Sequence, residues 1–209
     1  MHGLQVSLRV SAVSLAVSGF IVAAVTPWHP DIFDRPVAEV VRGFGPWTLL
    51  HELSVAAVVL ALFGAVGIVA AHGGHLGRLG QAGLVIEVVG VVMTAALATT
   101  EAIVFPVLAD RAAPGLLAVD GPLLRSPVFV GSGVLALGWP LGLALIGLAA
   151  ARSPVFGRAP GVLLAISGPL YLALAGPFVP VLDVLSAVLF GVVQMWWGWL
   201  LWRFAPDSE

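Results

Sequence analysis

Residues 81–110 read QAGLVIEVVGVVMTAALATTEAIVFPVLAD. The stretch is long enough to cross a bilayer as one helix and is dominated by Val, Leu, Ile and Ala. It also carries two carboxylates, Glu87 and Glu101, with Thr94 midway between them. At 3.6 residues per turn these three fall on one stripe, with Gly83, Gly90 and Ala98 close beside it. A carboxylate at bilayer depth costs about 3 kcal/mol or more even on lenient insertion scales. The acidic, small-residue face is therefore expected to turn toward protein.

The composition agrees. Of 209 residues, 60% are hydrophobic and 10% charged, against about a quarter charged in soluble domains. The net charge is −2, the chain has no Cys, and all nine basic residues are Arg. No basic stripe is present that would track phosphates, so a nucleic-acid partner is not expected. Disulfides, thiol catalysis and cysteine-ligated metals are excluded. No polar linker divides the chain, and we read residues 1–209 as a single domain.

Apolar runs predict an all-α integral membrane bundle of six transmembrane helices, over residues 8–25, 47–71, 79–105, 128–151, 160–177 and 182–202. The first run is read as a retained span, because no clear cleavage site precedes the polar loop after it. Ser7, Ser11, Ser14 and Ser18 share one face of it, a packing surface for another helix. In the loop that follows, Ile32, Phe33, Val37, Val40, Val41 and Phe44 recur at helical spacing, predicting a short outer helix lying on the membrane surface as a lid. A kink is expected at Trp139-Pro140. The Trp196, Trp197, Trp199 and Trp202 cluster before Arg203 reads as an aromatic anchor at the interface.

Six spans put both termini on one side with Arg9, Arg78, Arg152, Arg158 and Arg203. The other side carries Arg35, Arg42, Arg111 and Arg125, offset by Asp31, Asp34, Glu39, Asp110 and Asp120. The arginine excess, with shorter loops on the same side, predicts a bacterial inner (cytoplasmic) membrane protein with both termini in the cytoplasm.

This topology gathers His29, His51, Glu52, Glu101 and Asp183 toward the outer leaflet. His29, His51 and Glu101 form a two-histidine, one-carboxylate set suited to a transition metal such as zinc or iron, with Asp183 or Glu52 as a further ligand or orienting partner. The competing reading leaves these groups to cap, hydrogen-bond and meet water. Glu52, Glu87, Glu101 and Asp183 are the candidate proton donors or acceptors, and Glu87, deep in its span, is the hardest to dismiss. Its alternative role is a packing hydrogen bond, for example to Gln194. Thr94, Tyr171 and Gln194 are the candidate ligand-binding groups. Gly131-Ser132-Gly133 lacks the context of a nucleophile elbow, and no phosphate-binding or dinucleotide fingerprint is present.

His29-Pro30, Trp47 with His51, and Glu101-Ala102 followed by Pro106-Val107-Leu108-Ala109 together resemble a group of small multi-pass membrane proteins of high-GC actinobacteria. The resemblance carries no activity, but it implies that His29, His51 and Glu101 belong to one site. Three function classes follow. The leading one is a multi-pass protein, surrounded by membrane lipids and able to form a homodimer. Its outward His/carboxylate pocket binds a small lipophilic or cationic ligand, in the manner of a proton-coupled permease. The second is an intramembrane acid/base enzyme, an isomerase or terpenoid-type cyclase. The third is a structural accessory subunit.

Overall fold

The computed structural model describes residues 2–110 and 113–205. Arg111 and the tail beyond residue 205 lie outside the described residues. The helices are α1 (His2–Val25), α2 (Val37–Gly43), α3 (Trp47–His72), α4 (Gly77–Asp110), α5 (Pro127–Ala136), α6 (Gly138–Ala150), α7 (Arg158–Leu174) and α8 (Leu182–Phe204), with no strand among the described residues.

Four stretches are long and apolar enough to cross a membrane: Ser7–Trp28, Trp47–Asp110, Pro127–Ala150 and Leu182–Phe204. The second is a hairpin, since α3 and α4 fold back on one another through a 3-10 turn at Gly73–Leu76. Gly73 and Gly77 both have φ of 55° there, a left-handed conformation that side chains other than hydrogen adopt only at a cost. With 17 residues, α7 is shorter. Outward-facing Phe20, Phe63, Val85, Ile103 and Val128 are all exposed. So broad an apolar surface is what a membrane bundle presents to lipid.

Lipid gives helices no hydrophobic reason to associate, so close approach of backbones has to hold the bundle together. The α1–α8 seam does this with Gly19 against Gly191, and Ala12 and Ala16 against Gly198. Against α3, Leu15 and Ser11 fill the space over Gly64 and Gly67. Ser11, Ser14 and Ser18 are buried, as the serine stripe anticipates, while Ser7 is exposed. Ser18 Oγ donates a hydrogen bond of 2.9 Å to Gln194 Oε1.

Prolines shape the end of the bundle that holds the polar groups. Pro106 inside α4 has no N–H to offer the Ala102 carbonyl one turn earlier. Thr48 Oγ1 donates to that carbonyl at 3.0 Å, and Trp47 Nε1 donates to the neighbouring Glu101 carbonyl at 2.7 Å. Pro140 likewise leaves the Ala136 carbonyl open, α5 and α6 part at Leu137, and Thr94 Oγ1 reaches Ala136 O at 3.3 Å. The expected break at Trp139-Pro140 thus falls one turn earlier in the chain.

The short outer helix exists but differs from its expected placement. Val37, Ala38, Val40 and Val41 of α2 are buried with Trp47, Phe105, Ala109 and Leu117 in a second core of their own. Its apolar face is spent on the ends of α3 and α4 rather than on lipid. It caps the bundle, and does so as part of the protein.

Candidate functional site

α3 and α4 bring His51 and Glu101 together beside the cap. His51 is buried, and its Nδ1 lies 2.7 Å from the Trp47 carbonyl. A carbonyl only accepts, so Nδ1 carries the hydrogen, and Nε2 of a neutral ring is then a bare lone pair. That lone pair stands 3.1 Å from Glu101 Oε2, although the geometry is not that of a formed hydrogen bond. An ionised carboxylate and an imidazole lone pair repel at this distance, so the arrangement is stable only with a proton on one of them. A proton between them, as imidazolium with carboxylate or as imidazole with carboxylic acid, would satisfy both groups. Glu101 keeps 29% of its side chain exposed, so a proton held there would have a way out.

His29 completes the histidine set. It follows α1 through a 3-10 turn, and its ring centroid lies 5.3 Å from that of His51, 5.7 Å from Trp47 and 5.4 Å from Phe178. Its Nδ1 is 2.9 Å from the Pro30 carbonyl, so its tautomer is set as in His51. Burial, reinforced by neighbouring His51, lowers its pKa from the ordinary 6.5, against the opposing pull of Glu101 and the Pro30 carbonyl. His29 is a neutral imidazole in this setting.

The three groups face a half-open cavity of about 240 Å³. Its polar wall is His29, His51, Glu101 and Thr94, with Thr26 and Tyr171 across from them; Ile21, Val22, Val58 and Leu97 supply the apolar wall. A second cavity of about 290 Å³, bordered by Leu137, Pro140 and Phe178, shares His29, Thr94, Trp139 and Tyr171 with the first. Tyr171 is hydrogen-bonded to the Thr26 side chain, and its ring stacks on Phe190 at 5.2 Å. Trp139 meets both rings at 6.0 and 5.6 Å, making an aromatic floor.

Among the described residues no three His, Asp or Glu side chains converge as a metal site. The carbonyls on both Nδ1 atoms leave the Nε2 atoms of His29 and His51 as the nitrogens that could act as ligands. Neighbours in space need not be ligands, because a metal also requires lone pairs aimed at one point.

Other expected members separate from the cluster. Glu52 follows His51 directly, about 100° further round the helix, and is exposed. Asp183 Oδ1 accepts the Val184 N–H at 2.6 Å in the first turn of α8, a local role suited to a helix N-terminus. Neither lines the cavity. Gln194 is buried in the α1–α8 seam with Ser18, away from the cavity lining.

Glu87 is fully buried, and neither carboxylate oxygen has a hydrogen-bond partner among the described residues. It shares the Thr94–Glu101 stripe yet lies outside the cavity. The α4–α6 seam closes between them, with Gly90 against the backbone of Gly138 and Trp139, and Gly142 against Glu87 itself. The continuous polar path expected along α4 therefore stops at Thr94.

Sequence reading did not anticipate Trp47 as the residue that aligns the pair. Its carbonyl orients His51 while its indole holds the Glu101 turn. Asking which carbonyl each proline leaves open would have pointed to Thr48 and Thr94 as well. Ser54, one turn after His51, also lines the cavity, with its hydroxyl donated to the Leu50 carbonyl at 3.0 Å. The chain matches no protein-family model, no curated protein and no solved structure.

Proposed function

We propose that the chain crosses the membrane six times, with α1, α3, α4, the α5–α6 pair, α7 and α8 as spans. Both termini lie on the cytoplasmic side of a bacterial inner membrane. Its outer end is a proton-exchanging pocket for a small lipophilic or cationic ligand, and its activity is that of a proton-coupled permease. The observation that carries this reading is the 3.1 Å approach of His51 Nε2 to Glu101 Oε2 at the wall of a cavity whose remaining surface is mostly apolar and aromatic. A pocket of this size suits a small molecule.

In this mechanism Trp47 holds both partners in register, Glu101 delivers or receives the proton at its exposed edge, and His51 stores it. His29, neutral beside them, adds no competing charge. Trp139 and Tyr171, backed by the buried Phe190, receive the ligand's apolar part. Translocation requires the α4–α6 seam to open below Trp139.

The tight seam favours a second reading, in which the site is a closed-ended intramembrane acid/base enzyme and Glu101 or Tyr171 protonates an alkene, as an isomerase or terpenoid-type cyclase would. Reconstitution into liposomes with an imposed pH gradient tests the first reading against the second. Uptake of lipophilic amines driven by the gradient and lost in Glu101→Gln supports the permease. Chemical conversion of a polyprenyl substrate without uptake moves the assignment to the enzyme.

A further inference from the structure

We propose that the ligand taken by this pocket is a monovalent organic cation, bound in exchange for the proton that His51 and Glu101 share. The inference rests on the pocket being a ligand site, and adds to that reading the charge of the ligand and the stoichiometry of exchange.

The charge inventory of the site carries the argument. The chain has no lysine, and no arginine lines either cavity. An anion entering here would face Glu101 with no fixed positive partner. The groups that face the pair are His29 from the turn after α1, Thr94 on α4 itself and, from α7, Tyr171. Thr94 is neutral and Tyr171 enters as a neutral phenol, which leaves the shared proton as the pair's positive charge. Of the other acids nearby, Glu52 on α3 is on the outward face, and Asp31, whose charge reaches His29, lines neither cavity and accepts the Phe33 N–H in its own loop. With its proton the pair is neutral overall, and without it the site is a single negative charge in an apolar pocket.

A ligand carrying one positive charge fits that second state. It approaches Glu101 at the exposed edge, takes the place of the His51 proton as the carboxylate's counter-charge, and sends that proton to bulk water. His51 returns to the neutral tautomer already fixed by the Trp47 carbonyl, so the exchange needs no ring rotation. Trp139 and Tyr171 line the same cavity, so a desolvated cation there sits among aromatic rings, which favours a quaternary or lipophilic ammonium over a hydrated metal ion. Charge balance is kept: one cation enters, one proton leaves, and the site is neutral before and after.

Benzyltrimethylammonium and its uncharged isostere neopentylbenzene separate charge from shape, and the quaternary nitrogen carries no proton of its own. Binding of each to the purified full chain in nanodiscs, followed calorimetrically at neutral pH in buffers of different ionisation enthalpy, reports affinity and proton release together. The expected result is release of close to one proton per cation bound, with affinity for the isostere at least about tenfold weaker. Glu101→Gln should abolish the proton release. The comparison of the two ligands on the unaltered protein keeps the test valid if that variant folds poorly. Equal affinity for both ligands, or cation binding without proton release, overturns the inference and leaves a pocket selective for shape. Failure of both to bind overturns the ligand pocket and the inference with it.

Discussion

Trp47 donates its indole N–H to the Glu101 carbonyl at 2.7 Å and accepts the His51 Nδ1 hydrogen on its own carbonyl, also at 2.7 Å. One buried residue thus fixes both halves of the His51–Glu101 pair. Trp47→Phe keeps the apolar body in the outer core but removes the donor. It should cost about 1 kcal/mol in stability, in the range of a single net hydrogen bond. Its larger effect should be on the pair, with release of the shared proton on cation binding reduced or lost in calorimetry while helicity by circular dichroism is unchanged.

Thr48 and Pro106 should be energetically coupled. Thr48→Val strips the donor from the Ala102 carbonyl, which Pro106 has already deprived of its helical partner. The single variant should be destabilised by about 0.5–1.5 kcal/mol, the range found for hydrogen bonds between membrane helices. In the Pro106→Ala background the substituted residue regains a backbone N–H that reaches that carbonyl, and Thr48→Val should then cost less. Thermal unfolding of all four forms in detergent gives the coupling, and equal costs in both backgrounds would show that Thr48 does not compensate for the proline.

The lowered pKa of His29 sets a direction for pH dependence. An unfolded chain takes up a proton at His29 near 6.5, and the folded chain resists doing so until lower pH. The folded state therefore binds fewer protons between the folded value and 6.5. The stability due to keeping His29 neutral is full above pH 6.5 and declines as pH falls from 6.5 through the folded value. His29→Phe should flatten that decline, read as a smaller fall in melting temperature between about pH 7 and pH 5.

Glu87 gives a prediction opposite to that for a packing hydrogen bond. Its carboxyl group is enclosed with both oxygens unpartnered among the described residues, so Glu87→Leu should stabilise the protein, by about 1–3 kcal/mol, the cost of a buried unsatisfied polar group. Gly142→Ala, on the facing helix, would press a methyl into the Glu87 backbone and should destabilise by a similar amount through overpacking. Unfolding measured by steric trapping in bicelles distinguishes the two signs. A Leu variant less stable than the parent would mean that the carboxyl group is satisfied in the membrane.

Topology is accessible because the chain lacks cysteine. Arg125 and Arg152 flank the α5–α6 pair and are both exposed, unlike the buried Ser153. Single cysteines at these two positions should react with a membrane-impermeant maleimide from opposite sides of the bilayer. Reaction from the same side would remove that span.

Much of the helical plan was readable because apolar runs and glycine or proline boundaries are local signals. His29, His51 and Glu101 were also readable as neighbours, since each sits within a turn or two of the same end of its segment. What their sequence positions could not give was direction. Glu52 was grouped with His51 by depth alone, and a single step around the helix turns it outward. Asp183 shared the depth too, but its oxygen is occupied by the next residue's N–H. The path from Glu101 to Glu87 looked open along α4 because periodicity describes one helix, whereas Gly138 and Gly142 on α6 decide whether the stripe is covered. The outer helix was found by its spacing and misjudged in its partner, since an amphipathic face packs on protein or lipid with the same pattern.

The glycine turn at the far end of the bundle has a mechanical meaning. From that turn to His51 along α3, and to Glu101 along α4, the helices run roughly 33–36 Å at 1.5 Å per residue. They form two arms joined at Gly73–Gly77, with His51 and Glu101 at the tips. With arms of that length, opening by about 5° parts the tips by roughly 3 Å, enough to double the gap between imidazole and carboxylate. The Trp47 and Thr48 hydrogen bonds act as a clasp across the tips. Once those two hydrogen bonds are released, a small angular opening at the turn would be enough to separate His51 from Glu101.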